Sequence, residues 1–304
     1  MAAENTEIAE HELTSPWQGF LAGPTERALE RGESVTGSAA GRPAAGVVVL
    51  SGSSGRIERD RCRLLARAGV TALSIRWFGG PEQPAGVCEI PLETFAAATE
   101  LLRDRGAARV SLLGVSKGAE AALSLSTVSG CADAVIALAP TSVVWANVGP
   151  GRDGHDRPYR SCWTWQGRPL PFVPYDETWT RREPEGAPVS VLGWYERSLA
   201  THADRLAAAA IPVEATAADL VLVAGGADRM WPSLRFAREL AGRRAAHGIG
   251  TTLVSHPDAG HRVLFPDEVP PAPSTTFDHG GSPEADAALG TTAWPTVLAA
   301  LRGA

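Results

Sequence analysis

The sequence predicts an α/β protein built on a mostly parallel, doubly wound sheet. Three observations lead there. Short apolar runs rich in β-branched residues recur along the chain, such as GVVVL at 46–50 and DLVLVA at 219–224. Stretches with apolar residues at helical spacing alternate with them. The runs are apolar at consecutive rather than alternate positions, as strands covered by helices on both faces require.

Taken in order, residues 1 to about 45 are polar and contain several Gly and Pro. They read as an N-terminal extension, ordered at most in part, holding one or two edge strands. Residues 46–304 read as one domain. Its first clear strand, 46–50, ends in the small-residue loop SGSSG at 51–55, and a helix is expected over 58–68 with Gly69 as its stop. A strand at 71–75 leads into the loop WFGGP at 77–81, and a helix begins at Pro91 and runs to about Asp104. The strand at 110–114, a turn at 115–118 and a helix of mostly small residues through Ser126 come next, then a strand at 134–138.

Residues 140 to about 200 break the alternation. They are rich in Pro and Gly and hold five of the nine tryptophans: Trp145, Trp163, Trp165, Trp179 and Trp194. So long an irregular stretch is expected to form a lid or binding wall, the plainer alternative being a packing insertion. Regular alternation then resumes. A helix is expected over 195–209, a strand over 219–224 ending in Gly225-Gly-Ala-Asp228, and a helix over 232–247. A strand over 251–255 leads to Asp258-Ala-Gly-His261, and a last helix spans about 282–301.

Composition narrows the partners. The 304 residues suit one large α/β domain, and 44% hydrophobic content is enough for a full core. With a formal net charge of −6 and no basic stripe, nucleic acid is not an expected partner. The N-terminus is acidic and lacks an apolar stretch, so it does not read as a secretory signal. The apolar runs are too short to span a membrane, and the protein reads as cytoplasmic. Cys62, Cys88, Cys131 and Cys162 match no zinc or CxxC spacing and read as free thiols in structural positions. No ligand cluster and no G-x-G-x-x-G opening a helix after a strand appears, so no metal or nucleotide cofactor is expected.

The chemistry centres on Gly114-Val-Ser-Lys-Gly118, a match to G-x-S-x-G. This motif places a serine on a sharp strand-to-helix turn, where glycines remove side chains that would collide. Five residues with three fixed positions are a weak signal in a Gly- and Ser-rich chain. The apolar strand before and the helix after strengthen it and point to the α/β-hydrolase fold. A serine hydroxyl needs a base, and the base needs an orienting acid. In that fold the chain order is Ser, acid, His. Asp228 and His261 each follow a strand at its carboxyl end, where open α/β sheets place their sites. Asp219 begins its strand and lies at the wrong edge. His256 is a rival base, while His155, His202, His247 and His279 read as surface histidines. The backbone N–H of Lys117 is one candidate oxyanion donor, and that of Ser53 or Ser54 the second. The Lys117 side chain reads as solvated or ion-paired.

These residues together resemble the C-terminal domain family of acyl-CoA thioester hydrolases and bile acid-CoA:amino acid N-acyltransferases, especially its bacterial members. The resemblance rests on GVSKGAE at 114–120, APTSVVW at 139–145, SCWTW at 161–165 and GRPLPF at 167–172. It continues through GGADRMWPS at 225–233, DAGH at 258–261, and GGSPEA at 280–285 with Trp294-Pro295. It covers about residues 45–302. It implies a nucleophile, Asp and His acting on acyl thioesters through an acyl-enzyme, and so assigns Ser116, Asp228 and His261 to those roles. Animal proteins that the chain resembles carry a separate N-terminal β-sandwich domain, for which the first 45 residues leave no room. Substrate contacts are therefore expected from the Trp-rich region, with Trp77, Trp145, Trp163 and Trp165 as candidates. The expected partner is a small-molecule acyl ester or thioester with water as acceptor. The alternatives are transfer to an amine or alcohol, including cyclisation, and a non-catalytic ligand-binding protein on the same fold.

Overall fold

The computed structural model describes residues 7–25 and 44–304. Residues 1–6 and 26–43, part of the expected N-terminal extension, lie outside the described residues. In chain order the elements are β1 (Ile8–Leu13), β2 (Gly19–Pro24), β3 (Ala45–Leu50), α1 (Arg59–Arg67), β4 (Thr71–Ile75), β5 (Ile90–Pro91) and α2 (Glu93–Asp104). Then come β6 (Arg109–Val115), α3 (Lys117–Val128), β7 (Ala134–Leu138), β8 (Trp163–Trp165), β9 (Arg168–Pro169), α4 (Leu192–Thr201) and α5 (Leu206–Ala209). The chain closes with β10 (Asp219–Gly225), α6 (Ser233–Ala246), β11 (Thr252–His256) and α7 (Pro283–Arg302).

Eight strands make the central sheet in the order β1-β2-β4-β3-β6-β7-β10-β11. From β4 to β11 every neighbouring pair is parallel. β2 runs antiparallel to both β1 and β4, so residues 8–24 extend the sheet at one edge. Strand β3 shows why the interior runs are continuously apolar. Val47 and Val49 pack with Cys62 and Leu65 of α1 and Leu289 and Ala293 of α7. Val48 and Leu50 face the other way, into a cluster with Phe95 of α2, Leu125 of α3 and Leu240 of α6. Period-2 side-chain alternation thus feeds two cores, and each fully buried aliphatic side chain contributes about 1.5–3 kcal/mol. Helix α1 ends at Gly69, which takes φ +79 as the expected stop. Helix α7 starts at Ser282, whose hydroxyl accepts from Ala285 N at 3.2 Å, with Pro283 next in its preferred first helical position.

Two expectations needed correction. Pro91 does not open a helix. Ile90 N donates to Cys162 O at 2.8 Å and Leu92 N to Thr164 O at 2.9 Å, so this segment is drawn into a small sheet with β8 and β9, and α2 starts at Glu93. The helix expected over 195–209 is two helices, α4 and α5, separated by a 3-10 turn at Ala203–Arg205. The Trp-rich segment is well packed. Val143, Trp145, Tyr175 and Tyr195 form an aromatic cluster with Trp231 and Phe236. Among the described residues no helix is long and apolar enough to cross a membrane. All four cysteines are free; Cys62, Cys88 and Cys162 are buried.

Candidate active site

The carboxyl ends of β3, β6, β10 and β11 lead into the segments that hold Ser53, Ser54, Ser116, Lys117, Asp228 and His261. Ser116 stands between β6 and α3 with φ +55 and ψ −117, a region that non-glycine residues rarely occupy. Its surroundings explain how the strain is held. A Cβ on Gly114 would lie 2.1 Å from Gly118 O, and one on Gly118 would lie 2.4 Å from both Leu50 O and Ser51 O. The strand, the turn and the end of β3 can therefore approach only because both motif glycines lack side chains. Ser116 N donates to Leu138 O at 2.9 Å, tying the turn to β7.

Asp228 and His261 meet as expected from chain order. His261 Nδ1 lies 2.8 Å from Asp228 Oδ2, and both side chains are buried. A carboxylate only accepts, so Nδ1 is the donor, and a neutral imidazole held this way offers Nε2 as an acceptor. The other carboxylate oxygen is satisfied too: Oδ1 accepts from Met230 N at 2.8 Å and Trp231 N at 3.2 Å. The base is held from behind by backbone. His261 N donates to His279 O at 2.8 Å, and Gly260 N donates to the buried Asp286 Oδ1 at 2.7 Å. Among the described residues no carboxylate pairs with the rival His256; its Nδ1 accepts from Asp258 N at 3.2 Å. Asp219 pairs with Arg109 at the opposite edge.

Lys117 N opens helix α3, where an amide has no partner within the helix. The loop after β3 passes against the nucleophile turn. A Cβ on Gly52 would lie 3.3 Å from Ser116 Cβ and 3.8 Å from Ser116 Oγ. Gly55 N donates to Gly52 O at 3.3 Å, closing a turn whose central residues, Ser53 and Ser54, are exposed.

The tryptophans correct the expectation of an aromatic substrate surface. Trp77, Trp145 and Trp163 are buried to within 2% of their surface. Trp145 Nε1 donates to Thr141 Oγ1 and its ring stacks on Tyr175, while Trp163 Nε1 donates to Glu120. Trp77 packs edge-on to Phe95 and against Trp163. These three are framework, since large rings gain most by full burial. Only Trp165 of the four is partly exposed. Of the two readings of the Lys117 side chain, solvated or ion-paired, the structure has the second: its ammonium is buried 2.8 Å from Glu120 Oε2. One feature went unread in the sequence. His279 is not a surface histidine. It is half-buried with its ring centre 6.0 Å from that of His261, and burial, then Arg262 and His261, push its pKa down to about 4. No spacing signals this, because its contact with His261 depends on how the chain from α7's start folds back over β11's loop.

The family model described as "BAAT / Acyl-CoA thioester hydrolase C terminal" matches residues 90–303. Curated relatives include mitochondrial acyl-coenzyme A thioesterase 2 of Mus musculus, 23% identical over 267 residues, covering 83% of this chain and 53% of that protein. Acyl-coenzyme A thioesterase 1 of Homo sapiens is 26% identical over 236 residues, covering 74% of this chain and 50% of that protein. The chain thus spans about half the length of the curated relatives it matches. Among solved structures, that of a Klebsiella pneumoniae protein named as a dienelactone hydrolase superposes with a TM-score of 0.53 at 15% identity, covering 97% of this chain and 98% of that one. The strand order and this likeness make the fold that of the α/β-hydrolases. With more than two thirds of its length matched, the chain belongs to the BAAT / acyl-CoA thioester hydrolase C-terminal family.

Proposed function

We propose that the protein is a serine hydrolase that cleaves an acyl thioester or ester through Ser116, His261 and Asp228. The observation that carries this reading is the buried 2.8 Å contact between His261 and Asp228 at the same sheet edge as the strained Ser116 turn. Family membership and the thioesterase names of the relatives support a thioester as the substrate class.

In the proposed sequence, His261 Nε2 takes the proton of Ser116 Oγ as the oxygen attacks the acyl carbonyl. The tetrahedral oxyanion is met by the amides of Lys117 and Ser53. Ser53 is preferred to Ser54 because its N–H directly follows Gly52, the loop residue against Ser116. The carbon–sulfur or carbon–oxygen bond then breaks, and the leaving thiol or alcohol receives the proton from His261. Water repeats the cycle on the acyl-enzyme and releases the acid. Asp228 holds the imidazole in the tautomer this requires and stabilises its cation.

A fluorophosphonate probe with intact-mass analysis tests the reading. One adduct on the wild type and none on Ser116→Ala is expected, together with loss of ester and acyl-CoA turnover in the variant. Full turnover by folded Ser116→Ala would sink it.

A further inference from the structure

The residue after Ser116 begins a buried ionic cluster that the proposed chemistry does not use. Lys117 Nζ lies 2.8 Å from Glu120 Oε2, with side chains 2% and 0% exposed. The pair spans one turn of α3, at i and i+3, the spacing that brings helical side chains together. Glu120 Oε1 accepts from Trp145 N and from Trp163 Nε1, each at 2.9 Å. Lys117 Nζ also lies 3.4 Å from Cys162 Sγ, and the thiol in turn donates to Ala146 O at 3.0 Å. The same ammonium stands 5.8 Å above the Trp231 ring.

Trp231 makes this cluster relevant to the site. Its ring meets His261 edge-on at 5.7 Å, its backbone N–H donates to Asp228 Oδ1, and its Nε1 donates to Ala139 O. One side chain therefore separates the buried ammonium from both the base and the acid. The ion pair touches the nucleophile helix, the loop after β7, strand β8 and the loop after β10. Burial opposes charge on both partners, and Glu120 beside Lys117 favours the ammonium against it. A buried ion pair is frequently no more stable than apolar residues of the same volume, so stability alone is a poor reason for its presence.

We propose that Lys117 and Glu120 are positioning residues: their buried ion pair sets the Ser116 turn against Trp231, and through it against the His261–Asp228 pair, while seating Trp145 and Trp163 on the same turn. The proposal rests on the reading of Ser116 as nucleophile. Neither side chain reaches open surface, so the effect falls on the alignment of groups within the protein and not on substrate contact.

The test compares full-length wild type with Lys117→Met/Glu120→Gln, which removes both charges but keeps an acceptor for the two tryptophan N–H groups. The readouts are the fluorophosphonate labelling rate per folded molecule, and kcat and KM on a p-nitrophenyl ester, with a circular-dichroism melt to establish folding. Labelling and kcat are expected to fall roughly 10- to 100-fold, the scale of a misplacement of about 1 Å, with KM within about twofold. A folded double variant that labels and turns over within about twofold of wild type overturns the proposal, as does a loss confined to KM. Should the double variant not fold, Glu120→Gln alone carries the same measurement, and loss of fold there too makes the pair a stability element and overturns the proposal. Wild-type protein that takes no probe overturns instead the reading of Ser116 itself, which separates the two failures.

Discussion

Gly114 and Gly118 stand so close across the nucleophile turn that a Cβ on Gly114 would lie 2.1 Å from the Gly118 carbonyl oxygen. That separation is far inside contact distance, and both neighbours are backbone, which cannot swing aside as a side chain can. Gly114→Ala is therefore expected to destabilise the protein by about 3 kcal/mol or more, through forced displacement of β6 against α3. Gly242→Ala is the contrasting substitution. Gly242 lies inside α6 and a Cβ there meets nothing within 4 Å. It should gain roughly 0.5–1 kcal/mol from helix propensity. Urea unfolding midpoints of the two variants, moving in opposite directions from wild type, check both statements.

The contrast between these glycines shows how far sequence could be read. Gly114, Gly118 and Ser116 were legible because a strand, a tight turn and a helix follow each other within a few residues, so the constraint is local. Asp228 and His261 were legible from chain order, since each follows a strand whose carboxyl end is where such sheets hold their sites. The pairing of Ile90 and Leu92 with Cys162 and Thr164 was not legible. It joins segments some seventy residues apart through strands of two and three residues, too short to carry a period. The fate of the tryptophans was hidden for a related reason. A Trp-rich irregular segment has the same composition whether its rings face solvent or one another. Only the packing of Trp145 on Tyr175 and Tyr195 decides it.

Asp228→Asn separates orientation from mere occupancy. Asparagine keeps an acceptor for the Met230 and Trp231 amides, so the loop should stay folded. Its NH2 group would face His261, favouring the tautomer with the proton on Nε2, where it cannot take one from Ser116. On the proposed mechanism kcat should drop on the order of 10⁴-fold with little change in melting temperature. Ester hydrolysis measured beside a thermal melt gives the answer; a variant within tenfold of wild-type kcat would contradict the role assigned to Asp228.

Arg61 braces the loop that follows the base. From α1 its guanidinium donates to both carboxylate oxygens of Glu268, at 2.6 and 2.8 Å, and to Val263 O at 3.1 Å. Its cation also stands 5.1 Å from the Phe265 ring. Both partners are nearly buried, so removing one leaves a charge with little water to solvate it. Arg61→Ala should cost about 3–5 kcal/mol, and Arg61→Met combined with Glu268→Gln clearly less. Denaturation of the single and double variants tests this, and equal losses in both would show that the charge pairing is not what braces the loop.

His279 gives stability a pH dependence of known sign. Its pKa is about 4 in the folded protein, because burial disfavours the cation and the charges of Arg262 and His261 add to that. In the unfolded chain an imidazole titrates near 6.5. Between these values the unfolded chain binds more protons than the folded one, so stability falls as pH falls. The contribution is fully present above about pH 6.5, is lost progressively down to about pH 4, and changes no further below that. It amounts to about 1–3 kcal/mol, allowing for the partial exposure of the ring. His279→Gln removes the titrating group while retaining a polar side chain. Chemical denaturation of both proteins at pH 7 and pH 4.5 should show the wild type losing more stability than the variant by that amount. The difference matters because carboxylates titrate over the same range in both proteins and cancel. Parallel losses would mean that His279 is solvated in both the folded and unfolded chain, and the close packing of its ring beside His261 would then be wrong.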